Sequence, residues 1–125
     1  MRARMPLMLA AGVEIGTAFV LIAAPSHFAA LVFEGELSDA GAGLARLSGF
    51  SLLSLVWAVW PGTDAARPSA LRAMLLFSAL CALYLLERGA LGVGIGVLLW
   101  PACVAHGVLA VLLARATREE RSDVR

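Results

Sequence analysis

The sequence predicts an all-α integral membrane protein, a four-helix up-and-down bundle with both termini in the cytoplasm. Three observations lead to this fold class: the composition, four apolar stretches of membrane-spanning length, and the distribution of arginine. Apolar residues make up 61% of the 125 residues, and charged residues make up only 15%. With glycine included the apolar share is roughly 70%, against about 45–50% in soluble domains. Because small soluble domains keep much of their surface in water, a chain this apolar belongs in a lipid bilayer.

The charge and the polar residue types narrow the classes of function. The net charge is +1, lysine, asparagine and glutamine are absent, and all ten cationic side chains are arginine. Without a basic excess, nucleic acid is not expected as a partner. High hydrophobicity excludes a disordered chain, and a count of two cysteines excludes a disulfide scaffold. No phosphate loop, nucleophile elbow or zinc-ligand spacing occurs in the sequence, so neither a cofactor nor a metal is predicted, and enzymatic activity is left open.

Four apolar stretches, separated by charged and turn-forming residues, are the predicted membrane spans: 7–24, 43–60, 69–86 and 91–113. Each holds 18–23 residues, and a helix needs about 20 residues to cross a hydrocarbon core of ~30 Å. Strands are not expected, because the apolar residues do not alternate with polar ones and an unpaired sheet edge cannot face lipid. The whole chain, 1–125, is predicted to be one domain.

Proline and charged residues mark the ends of these spans. Pro25 ends the first span, Pro61 ends the second, and Pro68 opens the third at a position that a helix tolerates. A tight polar turn at 87–89 is predicted before the fourth span. Within that fourth span, Pro101 is predicted to produce a kink.

The first connector is longer than the others and is still partly apolar between His27 and Phe33. A short helix lying in the membrane interface is predicted there, directly after the first span. The acidic segment 34–39 then leads to the second span.

The placement of arginine predicts the orientation. Eight of the ten arginines precede the first span, lie between the second and third or at the start of the third, or follow the fourth: Arg2, Arg4, Arg67, Arg72, Arg115, Arg118, Arg121 and Arg125. Because positively charged segments remain in the cytoplasm, both termini are expected there, in a bacterial inner membrane. A cleavable signal peptide over 1–24 is the rival interpretation, and Glu14 within the apolar run and Pro25 directly after it argue against it.

Glu14 is the residue that is most costly to place in a membrane. A central acidic residue costs about 2.5–3.5 kcal/mol on insertion scales, so its side chain is expected to face the bundle interior. The residues three and four positions away are small, namely Ala10, Ala11, Thr17 and Ala18, and they favour close helix packing. Intramembrane carboxylates mark ion, proton or substrate paths by default, which makes Glu14, with Thr17 beside it, a candidate site.

His106 lies in the fourth span among small residues, at the same predicted depth as Glu14, ~10 Å from the cytoplasmic boundary. Because the first and fourth helices of an up-and-down bundle are neighbours, the two side chains are expected to approach each other. Contact in a low dielectric would couple their protonation and form a protonatable pair. A structural alternative stays open, in which Glu14 is protonated and bonded to a backbone carbonyl or to Thr17, and His106 is an interhelical contact.

Arg46 and Tyr84 complete the candidate intramembrane polar site. Both are predicted to lie at a similar depth, so Arg46 has the option of pointing inward toward Tyr84. It has two other options: its side chain extends to the outer interface, or it pairs with the acidic segment 34–39. These two are favoured, because an arginine at the end of a span is easily accommodated.

The layout of the chain resembles small bacterial four-helix membrane proteins of the DoxX-like group, whose function is unknown. The resemblance rests on the length, Pro25 after the first span, Gly35 in the outer loop, and the segment LARLSG at 44–49. It covers most of the chain in architecture and includes no catalytic motif. Some members of the group are linked with quinone-level redox chemistry, so the resemblance implies a small subunit of a quinone-linked redox complex as one alternative.

A second, local resemblance is to small multidrug resistance transporters, which also have four helices. The segment EIGT at 14–17 is similar to the sequence around the membrane-embedded glutamate of the first helix in that family. This resemblance implies that Glu14 exchanges protons for a lipophilic cation. The later helices depart from the family, because the second span has no interior proline and the third lacks a glycine-rich packing run.

Three functional hypotheses follow. The first is a non-enzymatic component or accessory subunit of a membrane complex, embedded in the lipid bilayer. A homodimer or a larger complex is expected, because so small a bundle needs partners to enclose a pathway. The alternatives are proton-coupled small-molecule transport through Glu14 and a small subunit of a quinone-linked redox complex.

Overall fold

The computed structural model describes residues 4–60 and 66–122, apart from the side chain of Arg121, and within these ranges the chain forms five helices and no strand. The helices are α1 (Arg4–Ala23), α2 (Pro25–Phe33), α3 (Asp39–Val59), α4 (Arg67–Leu91) and α5 (Leu99–Ser122). Four of them, α1, α3, α4 and α5, are long and apolar enough to cross a membrane. The predicted all-α class with four spanning helices is therefore confirmed, and α2 is the short helix predicted after the first span. The predicted end of the second span at Pro61 lies outside the described residues.

Local sequence explains where the helices begin. The hydroxyl oxygen of Ser38 accepts a hydrogen bond from the backbone N–H of Gly41 at 3.1 Å and caps the start of α3. Pro25 and Pro68 lie in the first turns of α2 and α4. In a first turn the missing N–H of proline costs no helical hydrogen bond, because those N–H groups have no partner within the helix.

The predicted turn at 87–89 is wrong, because these residues are helical and α4 continues to Leu91. The helix ends instead at Gly92, whose φ of 67° requires the left-handed conformation that glycine adopts freely. Gly89 serves packing rather than a turn, since a Cβ atom there would lie 2.7 Å from the ring of Trp100. The connection to the last helix is 92–98, and α5 begins at Leu99 rather than near Leu91.

The predicted kink at Pro101 is also wrong. Pro101 is the third residue of α5, which begins at Leu99. A proline in the first turn of a helix neither removes an intrahelical hydrogen bond nor collides with a preceding helical turn. Pro101 is therefore part of the start of α5.

The four long helices pack as two pairs. α1 lies along α3 and α4 lies along α5, and the pairs join where α1 contacts α4 and α5 and where α3 contacts α4. Between α1 and α3 the backbones approach closely, since a Cβ atom on Gly49 would lie 2.9 Å from the carbonyl oxygen of Ala18. One end of the bundle is filled by a core in which Leu7, Leu71 and Leu113 are fully buried. The first and fourth spans are thus in contact, as predicted.

Large apolar side chains cover the outside of the bundle. All four long helices expose them, including Met8, Phe19, Leu44, Leu47, Leu76, Leu83, Val104 and Val108. Soluble monomers rarely expose contiguous apolar surface of this extent. Together with the length of the helices, this surface identifies a multi-pass membrane protein.

The short helix α2 is held against the connection between α4 and α5. The N–H of Gly96 donates to the carbonyl oxygen of Val32 at 3.1 Å, and the N–H of Leu98 donates to that of Leu31 at 2.8 Å. A Cβ atom on Gly96 would collide with the carbonyl oxygen of Leu31. Glycine at this position allows the two segments to touch and fixes α2 over one end of the bundle.

Candidate intramembrane polar site

Glu14 is fully buried in the middle of α1. Ala10, Ala11 and Ala18, which lie three and four positions away on the same face, are also fully buried. Their small side chains let the neighbouring helices approach closely enough to seal the carboxyl group from the outside. Glu14 therefore lies in the bundle interior, where the sequence analysis placed it.

His106 on α5 lies next to Glu14. Its Nδ1 atom is 3.7 Å from Oε1 of Glu14, and its side chain is almost completely buried. This distance is within the range of an ion pair and beyond the range of a direct hydrogen bond. The structure therefore brings the predicted pair together, with an acid and a base in an apolar environment.

The polar atoms of this pair have no hydrogen-bond partner in the described part of the chain. These atoms are both carboxyl oxygens of Glu14 and the Nδ1 atom of His106. The hydroxyl of Thr17 donates to the carbonyl oxygen of Val13 at 3.0 Å instead of to Glu14. The alternative in which Thr17 binds the Glu14 carboxyl group is thus wrong, because the Thr17 hydroxyl donates its hydrogen bond within α1. Each buried group without a partner costs about 1–3 kcal/mol.

Glu14 and His106 line a cavity of about 210 Å³, which we call the inner cavity. Four aromatic rings form much of the rest of its wall: Phe28, Phe33, Phe77 and Tyr84. The rings of Phe28 and Phe33 meet edge to face at 6.3 Å, and those of Phe33 and Tyr84 meet at 6.1 Å. Phe77 meets the imidazole of His106 in the same manner at 6.3 Å. The cavity thus combines aromatic walls with one acid–base pair.

A larger cavity, which we call the outer cavity, adjoins the inner one. It measures about 420 Å³ and shares with the inner cavity the residues Thr17, Phe28, Val32 and Ala102. Other residues of its wall, such as Gly16, Val20 and Ala105, are exposed on the outside of the bundle. A row of lining residues therefore separates the polar pair from the lipid-facing surface.

Of the other two predicted site residues, Tyr84 lines the inner cavity and Arg46 is not among its lining residues. Tyr84 lines the inner cavity with one side while 52% of it is exposed. Arg46 is exposed, and its Nε atom donates to the carbonyl oxygen of Ile22 at 3.3 Å. That carbonyl belongs to the last turn of α1, where carbonyl groups lack partners within the helix. The side chain of Arg46 therefore contacts the carboxyl-terminal end of α1 and does not line the inner cavity.

Sequence reasoning did not identify the aromatic wall. Phe77, Cys81 and Tyr84 follow one another at intervals of four and three residues, a spacing that puts them on one face of α4. This stripe was a signal that the sequence offered. Phe28 and Phe33 had no such signal, because they belong to α2, and the way α2 lies over the bundle depends on contacts with the distant segment 92–98.

Both cysteines are free thiols, and they have different surroundings. Cys81 lines the inner cavity. Cys103 donates from its Sγ atom to the carbonyl oxygen of Ala82 at 3.6 Å and links α5 to α4. Across 4–60 and 66–122, no cluster of three or more His, Cys, Asp or Glu side chains is arranged to hold a metal ion.

Comparisons of this chain with protein-family models, with curated proteins and with solved structures give no match. The resemblances to DoxX-like proteins and to small multidrug resistance transporters stay predictions. Function is therefore argued from the site.

Proposed function

We propose that this protein is a non-enzymatic component of the bacterial inner membrane that binds a small molecule in the inner cavity. One observation carries the proposal: the acid–base pair of Glu14 and His106 lines a cavity inside the bundle and has no hydrogen-bond partner there. A ligand that donates to or accepts from these atoms would satisfy them. A mostly apolar cavity with a few convergent polar groups is typical of a ligand-binding site.

The cost of the pair favours a functional role over a structural one. Replacing buried charged pairs by apolar residues of similar volume is often neutral or stabilising. Glu14 and His106 therefore make a poor structural contact, since their atoms are 3.7 Å apart and otherwise unpaired. A role in binding gives these atoms partners when the ligand is present.

The proposed orientation has both termini in the cytoplasm. Arg67 at the start of α4 pairs with Glu120 near the end of α5 at 3.0 Å, so these two helix ends lie on one side of the bundle. Leu7, near the start of α1, belongs to the same core cluster as Leu71 and Leu113 and therefore marks the same side. Because this side carries most of the arginines, the positive-inside rule assigns it to the cytoplasm.

The test is recovery of the ligand from native membranes. We expect a small molecule to copurify with the protein extracted in polymer-bounded native nanodiscs, and mass spectrometry would identify it. Glu14→Leu should reduce its recovery about tenfold or more, because the variant removes the polar atoms and keeps an apolar side chain of similar size. Ser78→Ala is the matched control, since Ser78 is equally buried and does not line the inner cavity. Equal recovery from all three proteins would contradict the proposal.

A role as an accessory subunit or homodimer is supported by an apolar groove on the outside of the bundle. The groove measures about 420 Å³ and is lined by Leu44, Leu47, Ser48, Ser51 and Phe77, among others. The serine hydroxyls donate to carbonyl oxygens of their own helix at 2.9 and 3.0 Å. They therefore have hydrogen-bond partners although the groove is apolar. Small and hydroxyl-bearing residues are common where membrane helices associate. Native mass spectrometry of nanodiscs would detect the dimer or partner, and Leu47→Trp should reduce it; a monomer alone would argue against this role.

Proton-coupled transport is the second candidate function, and the adjoining outer cavity favours it. A substrate in the outer cavity would be separated from Glu14 only by residues that both cavities share. The purified protein should then release protons when it binds a lipophilic cation, and Glu14→Gln should abolish the release. A panel of lipophilic cations that causes no proton release would count against transport.

A further inference from the structure

The size of the inner cavity limits what it can hold. Its volume is about 210 Å³, and an apolar cavity of roughly 150 Å³ takes up a benzene molecule. One aromatic ring with one or two short substituents therefore fits. The rings of Phe28, Phe33, Phe77 and Tyr84 offer the edge-to-face contacts that such a molecule prefers.

The charge of the site limits the ligand further. With one proton shared between them, Glu14 and His106 carry no net charge, whether they form an ion pair or a neutral pair. The described residues that line the inner cavity include no other acidic or basic side chain. A cation bound here would add a net charge to a buried apolar site or would have to expel the shared proton, and buried net charge is costly. A neutral ligand avoids both.

The unpartnered atoms define the polar group of the ligand. Between them, a carboxyl group and an imidazole that share one proton offer both a donor and an acceptor. The two atoms that approach most closely, Oε1 of Glu14 and Nδ1 of His106, are 3.7 Å apart. A hydroxyl oxygen beside this pair, about 2.8 Å from each atom, would donate to one and accept from the other. This is the arrangement that a single phenolic or amide group completes.

We propose that the inner cavity binds a neutral one-ring aromatic molecule, such as a phenol, whose polar group bridges Glu14 and His106, and that the molecule enters sideways from the lipid through the outer cavity. The inference rests on the proposed function and names the class of ligand. The sideways route follows from the shared wall, since Thr17, Phe28, Val32 and Ala102 line both cavities. A molecule with an aromatic body partitions into the bilayer, which is where the outer cavity opens.

The experiment measures binding of radiolabelled para-ethylphenol to the protein in lipid nanodiscs by scintillation proximity, with empty nanodiscs as background. Unlabelled phenethylamine and para-ethyltoluene are the competitors, because they match the probe in number of non-hydrogen atoms. We expect both to compete at least about tenfold more weakly than unlabelled para-ethylphenol, since one adds a charge and the other leaves the pair unpartnered.

Two variants of Glu14 separate hydrogen bonding from charge. Glu14→Gln keeps a donor and an acceptor, so it should retain para-ethylphenol binding within about threefold. Glu14→Leu removes both and should weaken binding about tenfold or more. Ala105→Trp tests the route, because Ala105 lines only the outer cavity. Ala105→Trp should slow the association of para-ethylphenol about threefold or more with little change in affinity. The control is Val111→Trp, on the exposed face of the same helix, which should leave the association rate unchanged.

The outcomes distinguish the inference from the proposed function. Phenethylamine binding that depends on Glu14 and is lost in Glu14→Gln, with no binding of para-ethylphenol, would overturn the neutral class of ligand and leave the binding site intact. If none of the three molecules binds, while another small molecule copurifies with the native protein, the ligand class is again wrong and the binding function stands. If nothing binds and nothing copurifies, both are wrong. Unchanged association in Ala105→Trp would overturn the sideways route.

Discussion

At the scale of single residues, the decisive feature is a carboxyl group that is buried without compensation. The Glu14 carboxyl oxygens have no hydrogen-bond partner, and Oε1 lies 3.7 Å from Nδ1 of His106. A buried polar group without a partner lowers the stability of the fold, and a ligand that bonds to it removes this cost. With the proposed function, stability and ligand binding oppose each other at this residue.

We predict that Glu14→Leu stabilises the protein by about 1–3 kcal/mol, because it removes a buried polar group that lacks a partner. Thermal unfolding of the purified protein in detergent should show a melting temperature several degrees higher. Ser78→Ala is the comparison, since its hydroxyl is also buried and unpartnered, and it should raise the melting temperature too. A lower melting temperature in Glu14→Leu would mean that the carboxyl group has a stabilising partner.

Part of the site was predictable from the sequence. The approach of Glu14 and His106 was predictable, because helical rise fixes the depth of a residue within a span and the spans were clear from hydrophobicity. The contact of Arg46 with Ile22 was not, since an arginine at a span end has several partners within reach. For Tyr84 only the depth within its span was predictable, and its place on the cavity wall beside the ring of Phe33 was not.

At the scale of elements, α2 forms part of the wall of the inner cavity, together with the four long helices. Phe28, Val32 and Phe33 of α2 line the inner cavity. The hydrogen bonds from Gly96 and Leu98 to α2 keep these side chains in place. The short helix was predictable, but the contacts that hold it were not, because the apolar run from residue 91 was interpreted as helix where the chain forms the connection 92–98.

We predict that Gly96→Ala weakens both the fold and ligand binding, because the new Cβ atom would push α2 away from the connection 92–98. The expected loss is about 1–3 kcal/mol of unfolding free energy, in the range for overpacking. It should appear as a lower melting temperature together with weaker para-ethylphenol binding. Gly12→Ala is the control, since a Cβ atom there meets open space in α1, and it should be neutral or slightly stabilising. Equal melting temperatures for the two variants would mean that α2 tolerates displacement.

At the scale of the whole molecule, charge and apolar surface set the position in the membrane. Arg4 at the start of α1, Arg67 at the start of α4, and Arg115 and Arg118 near the end of α5 lie at one end of the bundle. The exposed apolar side chains lie on the helices between the ends. The number of spans was predictable from composition and length alone. The closer packing of α1 on α3 and of α4 on α5 than of one pair on the other was not, because it depends on close contacts such as that of Gly49 with Ala18.

We predict that reporter fusions at either terminus are active only as cytoplasmic reporters, because most arginines lie on that side. Green fluorescent protein fused to either end should fluoresce, and alkaline phosphatase fused to either end should be inactive. Alkaline carbonate should leave the protein in the membrane pellet, since four apolar helices cross the bilayer. Active alkaline phosphatase at one end, or release by carbonate, would contradict this orientation.

The hydrogen bonds between α2 and the segment 92–98 also set an order of assembly. The ribosome makes α2 long before it makes Gly96 and Leu98. While the first three long helices enter the membrane, α2 therefore lacks the hydrogen bonds that hold it in the folded protein. His106 comes later still. The inner cavity is therefore completed last during biogenesis. A nascent chain halted before residue 92 would contain Glu14 without the hydrogen bonds that hold α2 and without the imidazole of His106.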